Sequence, residues 1–187
     1  METGQQKVKN VCKNNIYIAL ILVTIFFVSW QSKFEPKLNQ EQYKIINDAF
    51  TNETFLFDKT TTTKSWANLI NREWLKEELW FCFGDNQDKV IEELTDSDFK
   101  YNLSSHIQNQ TKPLIIEKKH LKAGDINIIS KDKWGRIPKI SAPFVYEDKA
   151  LIYYQSPIEE YIIYLKKKTS RDWERICIFH IFFIFTD

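Results

Sequence analysis

Phe144-Val145-Tyr146-Glu147-Asp148-Lys149-Ala150-Leu151-Ile152-Tyr153-Tyr154 sets two runs of β-favouring residues on either side of a short polar turn. Glu147, Asp148 and Lys149 are few enough to fold Phe144 to Tyr146 back onto Leu151 to Tyr154 as a hairpin. Outward from this hairpin, Leu114 to Glu117, Asp125 to Ser130, Tyr161 to Leu165 and Trp173 to Phe185 are also rich in Ile, Tyr and Phe. Short polar connections separate them, and Thr169 to Asp172 can join the last two. The chain after Pro113 therefore predicts an antiparallel β-meander. Ile176 to Phe185 is nearly continuous in apolar character, which predicts a strand buried on both faces; it is too short for a membrane span.

Before Pro113 the apolar spacing is helical. Asn39 with Gln42 makes a capping-box pattern, Leu38 with Tyr43 a hydrophobic staple, and Tyr43, Ile46 and Phe50 recur on one face. A second helix is predicted from Lys64 to Phe83, where Trp66, Ile70, Trp74 and Leu79 repeat and Gly84 supplies a stop. Thr95 with Asp98 gives another capping pattern, Leu94 with Phe99 another staple, and Phe99, Leu103 and Ile107 a third apolar face. A short helix from Asp88 to Leu94 precedes it. Helices first and strands second make an α+β fold.

The N-terminal segment decides the address. Ile16 to Trp30 is an uninterrupted, mainly apolar run, and the uncharged stretch 14–32 between Lys13 and Lys33 extends to about 28 Å as a helix at 1.5 Å per residue. That suffices to cross a hydrocarbon core of about 30 Å with snorkelling lysines and with Tyr17 and Trp30 at the interfaces. Around Trp30 no pair of small residues offers a cleavage site, and Cys12 precedes the run where a lipid-attachment cysteine would follow it. The expectation is an α+β protein with an N-terminal transmembrane helix: a cytoplasmic arm at 1–13, an uncleaved signal anchor at 14–32, and an extracytoplasmic domain at 33–187. Lys7, Lys9 and Lys13 hold the arm inside by the positive-inside rule. In a Gram-negative cell the domain would then be periplasmic.

Setting aside Lys7, Lys9, Lys13 and Glu2 leaves 23 Lys plus Arg and 24 Asp plus Glu from residue 33 onward. This is near balance, and the signs alternate along the chain, so no nucleic-acid partner is expected. His106, His120 and His180 are too widely spaced for a metal motif, and Asp85, Asn86 and Asp88 lack the glycine and closing glutamate of a calcium loop. Neither a phosphate-binding glycine loop nor a nucleophile elbow is present. No catalytic, cofactor-binding or metal-binding residues are assigned, and no cofactor is expected. The adjacent acids Glu77 and Glu78, Glu92 and Glu93, and Glu159 and Glu160 read as solvated surface. Asn52, Asn102 and Asn109 begin glycosylation patterns that matter only in a eukaryotic secretory pathway. Cys82 and Cys177 can meet if the second helix packs on the last strand, but buried free cysteine behaves as a small apolar residue, so two thiols are expected.

Lys139-Ile140-Ser141-Ala142-Pro143-Phe144, then Lys149-Ala150-Leu151-Ile152-Tyr153-Tyr154 and the late Trp173, resemble a pattern in small exported proteins and lipoproteins common in Bacteroidetes. The resemblance implies that the Ser-x-Pro-Phe strand and the Ala-containing strand form a hairpin and that the late Trp starts the closing strand. Where that group carries a Gly- and Cys-rich loop, this chain has Gln155-Ser156-Pro157-Ile158-Glu159-Glu160. The group brings no established activity with it. Ser141, Pro143, Tyr153 and Tyr154 are read as hairpin architecture. The expected function is a membrane-anchored binding domain with a protein partner and no catalysis. The alternatives are an anchored hydrolase with a dispersed active site and an immunity-type protein that covers another protein's active site.

Overall fold

The computed structural model describes residues 36–50, 54–62, 80–82, 87–131, 135–170 and 172–183. They belong to a compact unit beginning at Pro36. The expected arm, the anchor at 14–32 and most of the helix from Lys64 to Phe83 lie outside the described residues, and no described helix is long and apolar enough to cross a membrane. The described unit is α+β.

Helix α1 (Gln40–Ala49) forms as its capping box dictates. Asn39 Oδ1 accepts the Gln42 amide at 2.9 Å, and Gln42 Oε1 accepts the Asn39 amide at 3.0 Å. Tyr43, Ile46, Phe50 and Leu38 are all buried. Helices α2 (Gln87–Thr95) and α3 (Ser97–Asn109) follow, with Phe99, Leu103 and Ile107 on the buried face of α3. The cap of α3 differs by one residue from the expected Thr95. Asp96 accepts the amides of Asp98 and Phe99, both at 3.0 Å, while Thr95 Oγ1 donates back to Ile91 O at 2.7 Å and closes α2. A carboxylate at the positive end of the helix is a strong cap, and Thr95 is already in use.

Strands β1 (Thr54–Phe57) and β3 (Ile126–Ile129) pair in parallel as a small separate sheet. The main sheet contains β2 (Trp80–Cys82), β4 (Lys139–Ile140), β5 (Phe144–Tyr146), β6 (Lys149–Gln155), β7 (Glu159–Lys167) and β8 (Trp173–Phe183). Its order is β2-β8-β7-β6-β4, with β5 also on β6 and every pairing antiparallel. The expected hairpin and meander are thus β5 to β8.

Four expectations need correction. Asp125 to Ser130 leaves the meander because Thr54–Phe57 offers it a parallel partner that buries Leu56 and Ile126 beside α1. Leu114 to Glu117 makes only single bridges, since Pro113 has no amide and the next amides go to different partners: Ile115 to Pro36 O and Ile116 to Asp58 O. Trp80–Cys82, expected as the end of a helix, is a strand edge on β8. Finally, β8 buries Ile176, Cys177 and Phe179 but leaves Ile178 and His180 half-exposed.

Burial on both faces belongs instead to β6 and β7. Ala150, Ile152, Tyr154, Ile163 and Leu165 pack toward α1 and the small parallel sheet. Leu151, Tyr153, Ile162 and Tyr164 pack toward α2 and α3. Alternate residues on a strand point to opposite faces, so a sheet covered on both sides reads as an unbroken apolar run.

Candidate functional site

The site begins at an interruption in the edge of the sheet. Between β4 and β5, Ser141-Ala142-Pro143 runs along β6, and Pro143 has no amide to place in a ladder. Ser141 N donates to Tyr153 O at 2.8 Å, and the Tyr153 amide returns to Ser141 Oγ at 3.0 Å. A side-chain hydroxyl thus stands where a backbone carbonyl would normally accept. The expected architectural role of Ser141 and Tyr153 takes this concrete form. Beyond the interruption β5 resumes, its turn closed by Glu147 at φ 55°.

Helix α3 lies beside β5. Phe99 meets Phe144 edge-on at 5.3 Å and Tyr146 at 6.0 Å, while His106 tilts against Phe144 at 5.4 Å. The helical stripe Asn102, Ser105, His106 and Asn109 forms one wall of an open groove of about 580 Å³, and Phe144, Val145 and Tyr146 form the other. Lys112 and Leu114 also line it. His106 bonds to the Ala142 backbone, its Nε2 is buried without a partner, and burial pushes its pKa below the usual imidazole range. Burial thus favours the neutral ring, and Nε2 is enclosed rather than open to the groove.

Tyr146 is shared with a second groove of about 440 Å³, lined by Glu92, Glu93, Asp96, Asp98 and Glu147, with Lys149 on the same wall. Burial, then Glu147, Asp98 and Asp96, raise the Tyr146 pKa. Glu92, Asp98 and Glu147 are exposed, whereas Glu93 is held by Tyr164 OH and Lys166 Nζ, each at 2.8 Å. Lys149 is itself engaged by Asp148 at 3.1 Å and Glu147 at 3.8 Å.

Comparison with family models, curated proteins and solved structures yields no match.

The remaining polar clusters tie elements together. Glu41 on α1 accepts Lys167 Nζ and Trp173 Nε1, each at 3.0 Å, and Asp48 accepts the Trp173 amide at 2.9 Å, so α1 grips the β7–β8 turn. Tyr153 OH donates to Glu160 at 2.6 Å, and Tyr154 stacks on Tyr161 at 4.3 Å. Burial first, then neighbouring carboxylates, push the Tyr153 phenol far up and the Tyr154 phenol to about 12. These hydroxyls remain protonated donors and cannot serve as bases. Of the adjacent acids, Glu92 is exposed as expected, but Glu93, Glu159 and Glu160 are half-buried, and Glu93 and Glu160 accept from Tyr164 and Tyr153. Pairing across more than one element carries no local sequence signal. Glu77 and Glu78 lie outside the described residues.

The three histidines sit apart: His106 on α3, His120 against Tyr43 at 4.7 Å, and His180 near Tyr161 at 5.7 Å. Among the described residues no group of three or more His, Cys, Asp or Glu side chains is placed to hold a metal ion. Cys82 and Cys177 are bonded in a disulfide, with Cα atoms 4.1 Å apart at directly opposed positions of β2 and β8. The expectation of two thiols is overturned. It rested on buried free cysteine acting as a small apolar residue, whereas the antiparallel register of β2 and β8 brings the two Cβ atoms together.

Proposed function

We propose that this chain is a single-pass protein, anchored through residues 14–32, whose α+β domain works outside the cytoplasm as a binding module without catalysis. The observation that carries the reading is the Cys82–Cys177 disulfide. Such bonds form and persist in secreted, periplasmic and cell-surface settings and are uncommon where thiol reductants are abundant. The apolar run at 14–32, with lysines at both ends, supplies an address of the same kind. The resemblance of the segment 139–154 to small exported proteins points the same way.

A binding role rests on the groove beside β5, which combines an aromatic wall with polar helix side chains. His106 forms no nucleophile–base pair there, because its ring bonds to a backbone group and Nε2 meets no hydroxyl. Reporter fusions after Lys13 and after Asp187 test the topology. The reading requires extracytoplasmic signal from the C-terminal fusion alone, and a cytoplasmic signal there rejects it. A mature N-terminus near Gln31 would reject the anchor.

A further inference from the structure

We infer that the groove takes an extended, cationic peptide segment of a partner protein, which adds as a strand to the open edge of β5 and places a basic side chain over the acidic end. The inference rests on the reading of this domain as a binding module and names what it binds.

The first support is an unpaired strand edge. Lys167 N donates to Asp148 O at 2.8 Å, so strict alternation turns the peptide groups of Ala150 toward β7. Val145, opposite Ala150 on the other side, therefore directs its own N–H and C=O away from β6. No described residue pairs with that edge, and Val145 is 37% exposed. The neighbouring edge of β4 is covered: Phe57 N donates to Pro138 O at 2.8 Å and Thr61 N to Ile140 O at 2.7 Å. Among the described residues, that cover passes Ser141 through a single bridge at Thr61, and none of them pairs with Val145. An open edge next to a helix is the geometry by which extended peptides add to a sheet, with main-chain bonds giving affinity and side-chain pockets giving specificity.

The second support is charge. The groove shares Tyr146 with the acidic groove, where Glu92, Asp98 and Glu147 are exposed. The cations there, Lys149 and Lys166, are already held by carboxylates. An incoming Lys or Arg supplies the missing positive charge, and a carboxylate would be repelled.

The test uses the full oxidised chain and a blocked, fluorescent peptide alternating valine with lysine, followed by anisotropy. Two control peptides carry glutamate for lysine or an N-methyl group on the central amides. Expected results are saturable binding of the lysine peptide, weakening with salt, and a loss of about tenfold or more for each control. Val145→Pro removes the outward N–H without touching the β5–β6 ladder, so it should weaken binding about tenfold with an unchanged melting temperature. If that variant misfolds, the N-methylated peptide still decides the matter on the unaltered protein. Glu92→Gln combined with Glu147→Gln should weaken the lysine peptide and flatten its salt dependence.

No binding of the lysine peptide, equal binding of either control, or full binding by a folded Val145→Pro chain would overturn the inference. Self-association abolished by Val145→Pro would overturn it too, by making a second copy the occupant. A natural partner captured equally by wild type and Val145→Pro would reject this edge while leaving the binding-module reading intact. A cytoplasmic C-terminal reporter would reject the proposed location without altering the peptide result.

Discussion

Reducing the Cys82–Cys177 bond should be the most costly single perturbation of this domain. The bond closes a loop with a sequence separation of 95 residues. Chain-entropy bookkeeping for a loop of that length gives about 4.7 kcal/mol at 25 °C, and removals of native disulfides typically cost about 2–5 kcal/mol. Against a net stability of about 5–15 kcal/mol, this is a large share. Reduction leaves both sulfur atoms in place, so it isolates the cross-link from the cavity that a Cys177→Ala change would open at a fully buried position. Urea unfolding with and without reductant is the assay; at a slope of about 2 kcal/mol per molar, the midpoint should fall by about 1–2.5 M. Strand β2 is joined to β8 through three register pairs, so the amides of 80–82 should lose exchange protection first. Alkylation of the unreduced, unfolded chain should label one thiol, Cys12, of the three cysteines. Labelling of all three, or a stability loss below about 1 kcal/mol, would refute the reasoning.

Ser141→Ala removes the acceptor of the Tyr153 amide at a position 5% exposed, and the stranded donor should cost about 1–3 kcal/mol with faster exchange of that amide; a cost below about 0.5 kcal/mol would place Ser141 among ordinary surface sites. Glu147 holds φ at 55°, so Glu147→Gly should raise the melting temperature by relieving up to about 1 kcal/mol of backbone strain, and a lower melting temperature would contradict this. Burial lowers the His106 pKa, so the unfolded chain takes up this proton first as pH falls. Its contribution to stability is therefore constant above about pH 6.5 and declines below it, and His106→Gln should flatten the urea midpoint between about pH 7 and 5. An identical decline in the variant would assign the titration elsewhere.

Features resting on neighbours in the chain were legible. The Asn39 and Gln42 capping box, the buried stripe of α3 and the β5–β6 hairpin each follow from residues within a few positions, where helical or strand periodicity acts directly. One-residue competition already blurred the start of α3, because Thr95 and Asp96 both offer a cap and Thr95 is taken up by its own helix, bonding back to Ile91 O. The parallel partner of Asp125 to Ser130 was hidden, since a pairing between residues 54 and 126 leaves no trace in either run alone. The candidate groove was not legible. Its walls come from α3 and β5, which are separated by 34 or more residues of chain and meet only through packing.

By itself the chain determined the α+β class, the hairpin and the Asn39–Gln42 capping box, because each depends on local periodicity or turn length. Tertiary structure alone decided that Cys82 faces Cys177, that Ser141 replaces a carbonyl in the sheet edge, and that carboxylates from α2, α3 and the β5–β6 turn converge beside Tyr146. The physical reason is common to all three. Strand register and helix docking are set by burying both faces of the sheet at once, and that condition is shared across the whole chain rather than written in any one segment.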